Sequence, residues 1–314
     1  MKKLLKIFFI SLFIFALLLF AVEWIIWLQE NHKMRKAGIF PPSIQRLAFH
    51  PGVKNFEFDP YTFPRPENGW GRAPEGLQYS DKKPVVIFGC SYAYGYRLND
   101  SQTLSYKLAN YAKVPVYNRA WTGWGIQHML YQSKIEKIYE QIPEPEYVIY
   151  VFLDDHIRRL YLMTFSSWNI LIDEQNLRYK EKDGKLIEIT NNNPVLRQIK
   201  RLYFVNIIHH WYVLKHILNQ KNKQNCCNFA VKHFVEAKNE MQKHWKNTKY
   251  IVLFYNTKND YIKEKLEENG YTVINTSDIT TENLSSGKYI TDDCHPKEAA
   301  WDLLIPPLSE KLGL

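Results

Sequence analysis

Residues 83–95 read KPVVIFGCSYAYG, and this stretch decides the fold. Its first half is a short apolar run, which is typical of a strand buried on both faces of a parallel sheet. The run stops at Gly89, and Ser91 follows two residues later. In parallel α/β sheets, ligands bind beyond the carboxyl ends of the strands. A serine at this point is therefore a candidate functional residue.

Apolar runs and helix-like segments continue to alternate along the chain. Further strands are predicted at 114–118, 147–153, 250–256 and 271–277. Helices are predicted at 102–112, 125–141, 229–247, 259–269 and after His295. This alternation predicts a three-layer α/β/α domain with a mostly parallel sheet over residues 84–314. The basic, aromatic section at about 160–225 breaks the rhythm and is expected to be an insertion.

The N-terminus predicts a membrane anchor. Three lysines within the first six residues precede the apolar segment 7–22, and WIIWL closes it at Leu28. About 20 mostly apolar residues suffice to cross a bilayer as a helix. No small-residue cleavage site is evident, so we expect 1–28 to be an uncleaved single-pass helix; a removed signal peptide or a buried core helix are the alternatives. A Pro/Gly/aromatic stalk is expected at 29–83.

The charge pattern bears on location and partners. The leading lysines favour a main domain on the periplasmic or extracellular side, although basic residues at 33–36 compete with them. The 314 residues carry a net charge of +9, which suits an anionic partner. Zinc-finger spacing, RNP-type motifs and basic-zipper heptads are missing from the sequence, so nucleic acid is not expected. A cytoplasm-facing protein that binds anionic lipid is one alternative.

The cysteines do not predict a metal site. The four are Cys90, Cys226, Cys227 and Cys294, and none forms a C-x-x-C pair. Cys90 is expected to pack in the interior and the Cys226–Cys227 pair to lie at the surface. A disulfide between Cys90 and Cys294 is an open alternative in an oxidising compartment.

A serine hydroxyl becomes a nucleophile only beside a base, and the base needs an orienting group. The segment TDDCHP supplies such a pair in Asp292 and His295, which are three residues apart. On a tight turn the carboxylate reaches one imidazole nitrogen while the other faces outward. The alternatives are a solvated acidic loop and, for Ser91, an N-cap of the following helix.

Four segments in chain order extend this pattern: FGCSYAYG, YNRAWTGWG, VFLDDHIRR and DDCHP. Together they resemble the SGNH hydrolase superfamily, also called GDSL-like lipases and esterases, over about residues 84–160 and 248–312. The first block is G-D-S with a downstream glycine, and here cysteine replaces the aspartate. The matching residues are Gly89, Cys90, Ser91 and Gly95 for the first block, Asn118 and Gly123 for the second, and Asp292 and His295 for the last.

The resemblance implies an SGNH or flavodoxin-like fold and a Ser91–His295–Asp292 triad. It also implies an oxyanion hole that uses the amides of Ser91 and Gly123, with no metal or organic cofactor. The third block departs from the family, because Asp154 stands where an asparagine donates a hydrogen bond to the oxyanion. An ionised aspartate only accepts hydrogen bonds. A buried, protonated Asp154 or an inward-turned His156 are the two alternative donors.

The expected function is ester hydrolysis or acyl transfer on an acylated small molecule or glycan. A domain outside the membrane makes an O-acylated envelope glycan a reasonable substrate. Trp121 and Trp124 flank Gly123 and are expected either to stack on a sugar ring or to pack in the core. The alternative from another class is a non-catalytic, membrane-anchored glycan-binding or assembly protein. The oligomeric state is not indicated by the sequence.

Overall fold

The computed structural model describes Tyr79, residues 81–161, 177–189 and 222–314, and isolated positions at 10–21, 212 and 215. The predicted anchor at 1–28, the stalk at 29–83 and the insertion at 160–225 lie mostly outside the described residues. Within the described part, no helix has the length and apolar character needed to cross a bilayer.

The chain divides into two compact units. One comprises Met1–Gly52, Leu162–Asn176 and Thr190–Asn219, and only isolated positions of it are described. The other comprises Val53–Tyr161, Leu177–Ile189 and Gln220–Leu314. This second unit contains the seven strands and eight α-helices that the structure describes between residues 85 and 312.

A parallel sheet forms the centre of the second unit. The strands are β1 (Val85–Phe88), β2 (Val116–Asn118), β3 (Tyr147–Phe152), β4 (Tyr179–Lys182), β5 (Lys185–Glu188), β6 (Lys249–Phe254) and β7 (Thr272–Asn275). Five of them pair in the order β2-β1-β3-β6-β7, and every pairing among these five is parallel. This order is that of the flavodoxin-like, doubly wound sheets. The prediction of an α/β fold with a mostly parallel sheet is confirmed.

Helices cover both faces of this sheet. They are α1 (Ser91–Tyr94), α2 (Leu104–Ala112), α3 (Ile126–Gln132), α4 (Glu136–Gln141), α5 (Asp155–Arg159), α6 (Lys223–Gln242), α7 (Asp260–Glu268) and α8 (Glu298–Leu312). The single helix predicted at 125–141 is wrong, because the chain breaks between α3 and α4. Ile135 has extended backbone angles there, and the Ser133 hydroxyl donates to the Leu130 carbonyl at 2.7 Å.

Side-chain alternation along the strands builds two apolar layers. On one face, Val86, Phe88 and Tyr150 belong to a cluster with residues of α3, α6 and α7. On the other face, Ile87 and Val151 belong to a cluster with residues of α2 and α8. Because both faces are covered, β1 and β3 are buried along their whole length. The chemistry is thereby confined to the loops beyond the strand ends.

The described part of the predicted insertion contains a hairpin of β4 and β5. It packs against α6: the Leu186 N–H donates to Glu236 at 2.8 Å, and Lys232 donates to Glu181 at 2.6 Å.

Candidate active site

Ser91 begins α1 immediately beyond the carboxyl end of β1. Gly89 makes the turn with a φ of +149°, and a Cβ there would lie 3.0 Å from that of Ala93. The N-cap of α1 is Cys90, so the alternative role of Ser91 as N-cap is wrong. The Ser91 hydroxyl is instead 2.9 Å from Nε2 of His295, although the two residues are 204 positions apart. The structure thus brings together the two residues predicted as nucleophile and base.

The cysteines around the site are free thiols. Cys90 is fully buried and Cys294 is exposed, so the alternative of a disulfide between them is not realised. Cys226 and Cys227 lie in α6 and are buried, which corrects their predicted surface location. Cys227 belongs to the apolar cluster that contains Val86 and Phe88.

His295 lies on a tight turn that Thr291 closes. The Thr291 N–H donates to the His295 carbonyl at 2.8 Å, and the His295 N–H donates to the Thr291 hydroxyl at 3.0 Å. Cys294 adopts a left-handed conformation with a φ of +66°. This conformation is uncommon outside glycine and reverses the chain directly before the imidazole.

The carboxylate beside His295 is Asp293, whereas the sequence predicted Asp292. Oδ1 of Asp293 lies 3.2 Å from Nδ1 of His295, although the orientation does not meet hydrogen-bond geometry. Asp292 is exposed, and among the described residues it forms no hydrogen bond or ion pair with the ring. The left-handed Cys294 accounts for the difference, since it turns the carboxylate two positions before His295 toward the imidazole.

Charge and burial set the ionisation of this pair. Burial lowers the pKa of His295, and the nearby Arg97 lowers it further, while Asp293 opposes both effects. Burial acts to raise the pKa of Asp293, but the Thr291 hydroxyl, His295 and Arg97 outweigh it and lower that pKa. Nη1 of Arg97 is 3.2 Å from Oδ2 of Asp293. The base is therefore held neutral and the acid ionised near neutral pH.

Two tyrosines brace the histidine, and the sequence reading missed them. The Tyr92 hydroxyl donates to the Cys294 carbonyl, and its ring lies 5.5 Å from that of His295. Burial raises the pKa of Tyr92 to about 12, so it remains a hydrogen-bond donor. The Tyr96 ring lies 4.8 Å from His295. The tyrosine-rich segment SYAYGY after the nucleophile was the available signal.

The loop after β2 carries the predicted oxyanion donor Gly123. The Trp124 N–H donates to the Trp121 carbonyl at 3.2 Å, and Gly123 has a φ of +82°. This φ fits the second central position of a type II turn, which favours glycine. Because β2 neighbours β1, the turn lies at the same sheet edge as Ser91. Within the described part of the chain, the N–H groups of Ser91 and Gly123 donate no hydrogen bond.

Asn118 connects this loop to the nucleophile segment. Its side-chain amide donates to the Ala93 carbonyl at 2.9 Å and to the Ser105 hydroxyl at 3.2 Å. Its side-chain oxygen accepts from the Ala120 N–H at 3.1 Å. The end of β2 is therefore fixed to α1.

The two residues considered as a third oxyanion donor lie elsewhere. Asp154 is exposed, and Oδ1 is 3.5 Å from Nδ2 of Asn259, which follows β6 on the side of β3 opposite β1. His156 is fully buried in the apolar layer, with Nδ1 3.0 Å from the Tyr150 hydroxyl. Burial lowers its pKa well below the ordinary value. In the described structure, neither side chain forms a hydrogen bond with Ser91.

Metal-binding residues are not concentrated here. The described ranges contain no group of three or more His, Cys, Asp or Glu side chains that could hold a metal ion. The arrangement instead provides a hydroxyl, an imidazole and a carboxylate in sequence, together with two free amides. These are the components of a serine hydrolase site on a parallel α/β fold.

Comparison with known proteins finds similarity only among solved structures. No protein-family model and no curated protein matches the chain. A carbohydrate esterase family 2 enzyme from Corynascus thermopiles is 12% identical with a TM-score of 0.42, covering 74% of this chain and 67% of that chain. An acetyl xylan esterase from Butyrivibrio proteoclasticus is 11% identical with a TM-score of 0.44, and the match covers 74% of this chain and 65% of that chain.

A member of the lipolytic protein G-D-S-L family from Veillonella parvula is also similar. It is 12% identical with a TM-score of 0.39, and the match covers 72% of this chain and 96% of that chain. This chain thus spans about two thirds of the length of the two carbohydrate esterases. Because these TM-scores are below 0.5, the functional proposal rests on the geometry around Ser91 and His295.

Proposed function

We propose that the chain is a serine ester hydrolase or O-acyltransferase in which Ser91 is the nucleophile. The main observation that supports this proposal is the 2.9 Å distance between the Ser91 hydroxyl and Nε2 of His295 at the carboxyl edge of the sheet. A proton on Nδ1, facing Asp293, leaves Nε2 free to accept from the serine. A nucleophile, a base and an orienting carboxylate in this order activate a hydroxyl at neutral pH.

The reaction proceeds in two steps. The Ser91 oxygen attacks the ester carbonyl carbon while its proton passes to His295. The oxyanion of the tetrahedral intermediate accepts hydrogen bonds from the Ser91 and Gly123 amides. Collapse breaks the bond to the alcohol, which leaves with the proton from His295. Water, or the hydroxyl of an acceptor, then takes the acyl group from Ser91 by the reverse sequence.

The proposed substrate is an acylated small molecule or glycan. This proposal is supported by Trp121, a half-buried residue two positions before Gly123. The ring centroid of Trp121 lies 5.1 Å from that of Tyr94. An aromatic pair next to an oxyanion donor suits a sugar ring. The apolar segment at 1–28 supports a membrane anchor, and the lysines that precede it favour a main domain outside the cytoplasmic membrane. For that location the proposed substrate is an O-acylated envelope glycan.

The test uses the full chain with p-nitrophenyl acetate and a fluorophosphonate probe. We expect the wild-type chain to turn over the ester and to be labelled at Ser91, and Ser91→Ala to do neither. A fluorophosphonate reacts with an activated serine, so its labelling does not depend on matching the natural acyl group. A wild-type chain that fails in both assays would sink the proposal.

Such a result would favour the non-catalytic alternative. The observation behind that alternative is Asp154, which removes the oxyanion donor of the third block. Loss of one oxyanion donor typically costs about 10²–10³ in rate. Binding of an acylated glycan by the wild-type chain and Ser91→Ala with equal affinity, without turnover, would support it.

A further inference from the structure

Arg159 is a buried cation that connects α5 to the loop after β2. It is the last residue of α5, and its side chain is only 11% exposed. Its Nε donates to Asp155 at 2.7 Å, and its Nη1 donates to the Trp124 carbonyl at 2.7 Å. A buried guanidinium is costly unless its donors are satisfied. The hydrogen bond to the Trp124 carbonyl therefore offsets part of the cost of burying the Arg159 guanidinium.

The same loop is held from α3. Nδ1 of His128 accepts from the Gly125 N–H at 3.0 Å, and the His128 ring stacks on Trp124 with centroids 5.2 Å apart. Gln127 reaches across to α5 and donates to the Arg159 carbonyl at 3.1 Å. The turn that carries Gly123 is thus fixed between two helices.

The backbone at Gly125 lies close to the side chains of Gln127 and Arg159. A Cβ added at Gly125 would lie 2.6 Å from Oε1 of Gln127 and 3.4 Å from Cβ of Arg159. The close approach is to the Gln127 side chain of α3, whereas the Arg159 Cβ would be in ordinary van der Waals contact, so the backbone at Gly125 packs beside α5. The Arg159 side chain acts on this backbone through the carbonyl of Trp124, the residue directly after Gly123.

We propose that Arg159 is a positioning residue for the oxyanion hole: by holding the Trp124 carbonyl, it fixes the direction of the Gly123 N–H. This role rests on the proposed function. The position of the Gly123 N–H matters more in this chain because Asp154 replaces the asparagine that serves as the third oxyanion donor in the family that the chain resembles. The amides of Ser91 and Gly123 are then the two remaining donors. Displacing a catalytic group by about 1 Å can cost about 10²-fold in rate.

The helix supplies a matched control in Arg158. Both arginines pair with Asp155, Arg158 with Oδ1 at 2.6 Å and Arg159 with Oδ2 at 2.7 Å. Arg158 is more exposed, at 28%, and within the described structure it makes no hydrogen bond to the Trp121–Trp124 turn. Arg158→Gln and Arg159→Gln each remove one positive charge and one partner of Asp155. Only Arg159→Gln releases the Trp124 carbonyl.

The experiment measures kcat and KM for p-nitrophenyl acetate with the full-length wild type, Arg158→Gln, Arg159→Gln and Arg159→Lys. We expect Arg159→Gln to lower kcat by roughly 10- to 100-fold, with a smaller change in KM, because the oxyanion forms only in the transition state. Arg158→Gln should stay within about twofold of wild type. Arg159→Lys keeps the charge but lacks the second donor arm, so its kcat should fall between the two.

Thermal unfolding of each variant separates positioning from folding. Equal kcat values for Arg158→Gln and Arg159→Gln, in an active protein, would overturn the positioning role and leave the proposed function standing. If Arg159→Gln does not fold, Arg159→Lys decides: a folded variant with wild-type kcat overturns the role, and a reduced kcat supports it. A wild-type chain silent toward both ester and fluorophosphonate would instead remove the proposed function and this role with it.

Discussion

Oδ1 of Asp293 lies 3.2 Å from Nδ1 of His295, which makes Asp293 the orienting carboxylate of the proposed triad. The prediction concerns Asp293→Asn and Asp292→Asn. We expect Asp293→Asn to lower kcat by about 10²–10⁴, because the imidazole loses the charge that fixes its tautomer and stabilises the imidazolium. Asp292→Asn, on an exposed side chain, should change kcat within about twofold. Steady-state kinetics with p-nitrophenyl acetate checks both, and the reverse order of effects would assign the role to Asp292.

The second prediction concerns pH. His295 must be neutral to accept a proton, so kcat/KM falls as the pH drops through its pKa. That pKa lies below the ordinary value of about 6.5, chiefly through burial, and Arg97 helps to lower it. Arg97→Gln should therefore raise it and move the acid limb of the pH–rate profile to higher pH. Arg97→Lys retains the charge and should leave the profile close to wild type; a downward shift in Arg97→Gln would contradict the assignment.

The third prediction concerns the unusual third block. The Asp154 side chain is exposed and lies toward Asn259, away from β1. Asp154→Asn should therefore change kcat within about twofold, as expected for a surface substitution. A gain near 10²-fold would show that this side chain faces the oxyanion and that the carboxylate suppresses the reaction. The kinetic assay that tests Ser91 measures this directly.

The fourth prediction concerns stability in acid. Burial lowers the pKa of His233 in α6 to about 4, and its ring contacts the Phe229 carbonyl at 2.8 Å. Between pH about 6.5 and 4 the unfolded chain binds a proton that the folded chain does not. The free energy of unfolding therefore decreases as the pH is lowered through this range, by up to about 1.4 kcal/mol per pH unit. His156, with its pKa also lowered by burial, acts in the same direction.

Urea unfolding at pH 7.5 and 5.0 tests this. His233→Gln should show a smaller difference in unfolding free energy between the two pH values than the wild type. His244→Gln, at a partly exposed ring, controls for the effect of replacing a histidine by glutamine. An unchanged difference in His233→Gln would mean that this histidine does not contribute to acid sensitivity.

The strands were predictable because their signal is local. Each contains consecutive apolar residues between helix-like segments, and all five predicted strands are present. The meeting of Ser91 with His295 was also predictable, because parallel strands direct their following loops to one edge of the sheet. The pattern of four ordered segments sufficed to choose the two residues.

The remaining details depend on geometry that residue type does not specify. The choice between Asp292 and Asp293 depends on the left-handed backbone of Cys294. The role proposed for Arg159 depends on a backbone carbonyl 35 positions away. His156 carries a polar ring, yet it packs beside Tyr150 inside the apolar layer. Residue spacing along the chain does not specify these contacts.

The 204 positions between Ser91 and His295 have a consequence for synthesis. α8 begins three residues after His295, and Lys107 on α2 holds its first turn through Glu298 at 2.8 Å. A ribosome releases the segment with Ser91 long before the one with His295. On the proposed function, the nascent chain carries a serine hydroxyl without its base until His295 and α8 emerge, so a polypeptide truncated between the two residues would not acquire the proposed activity.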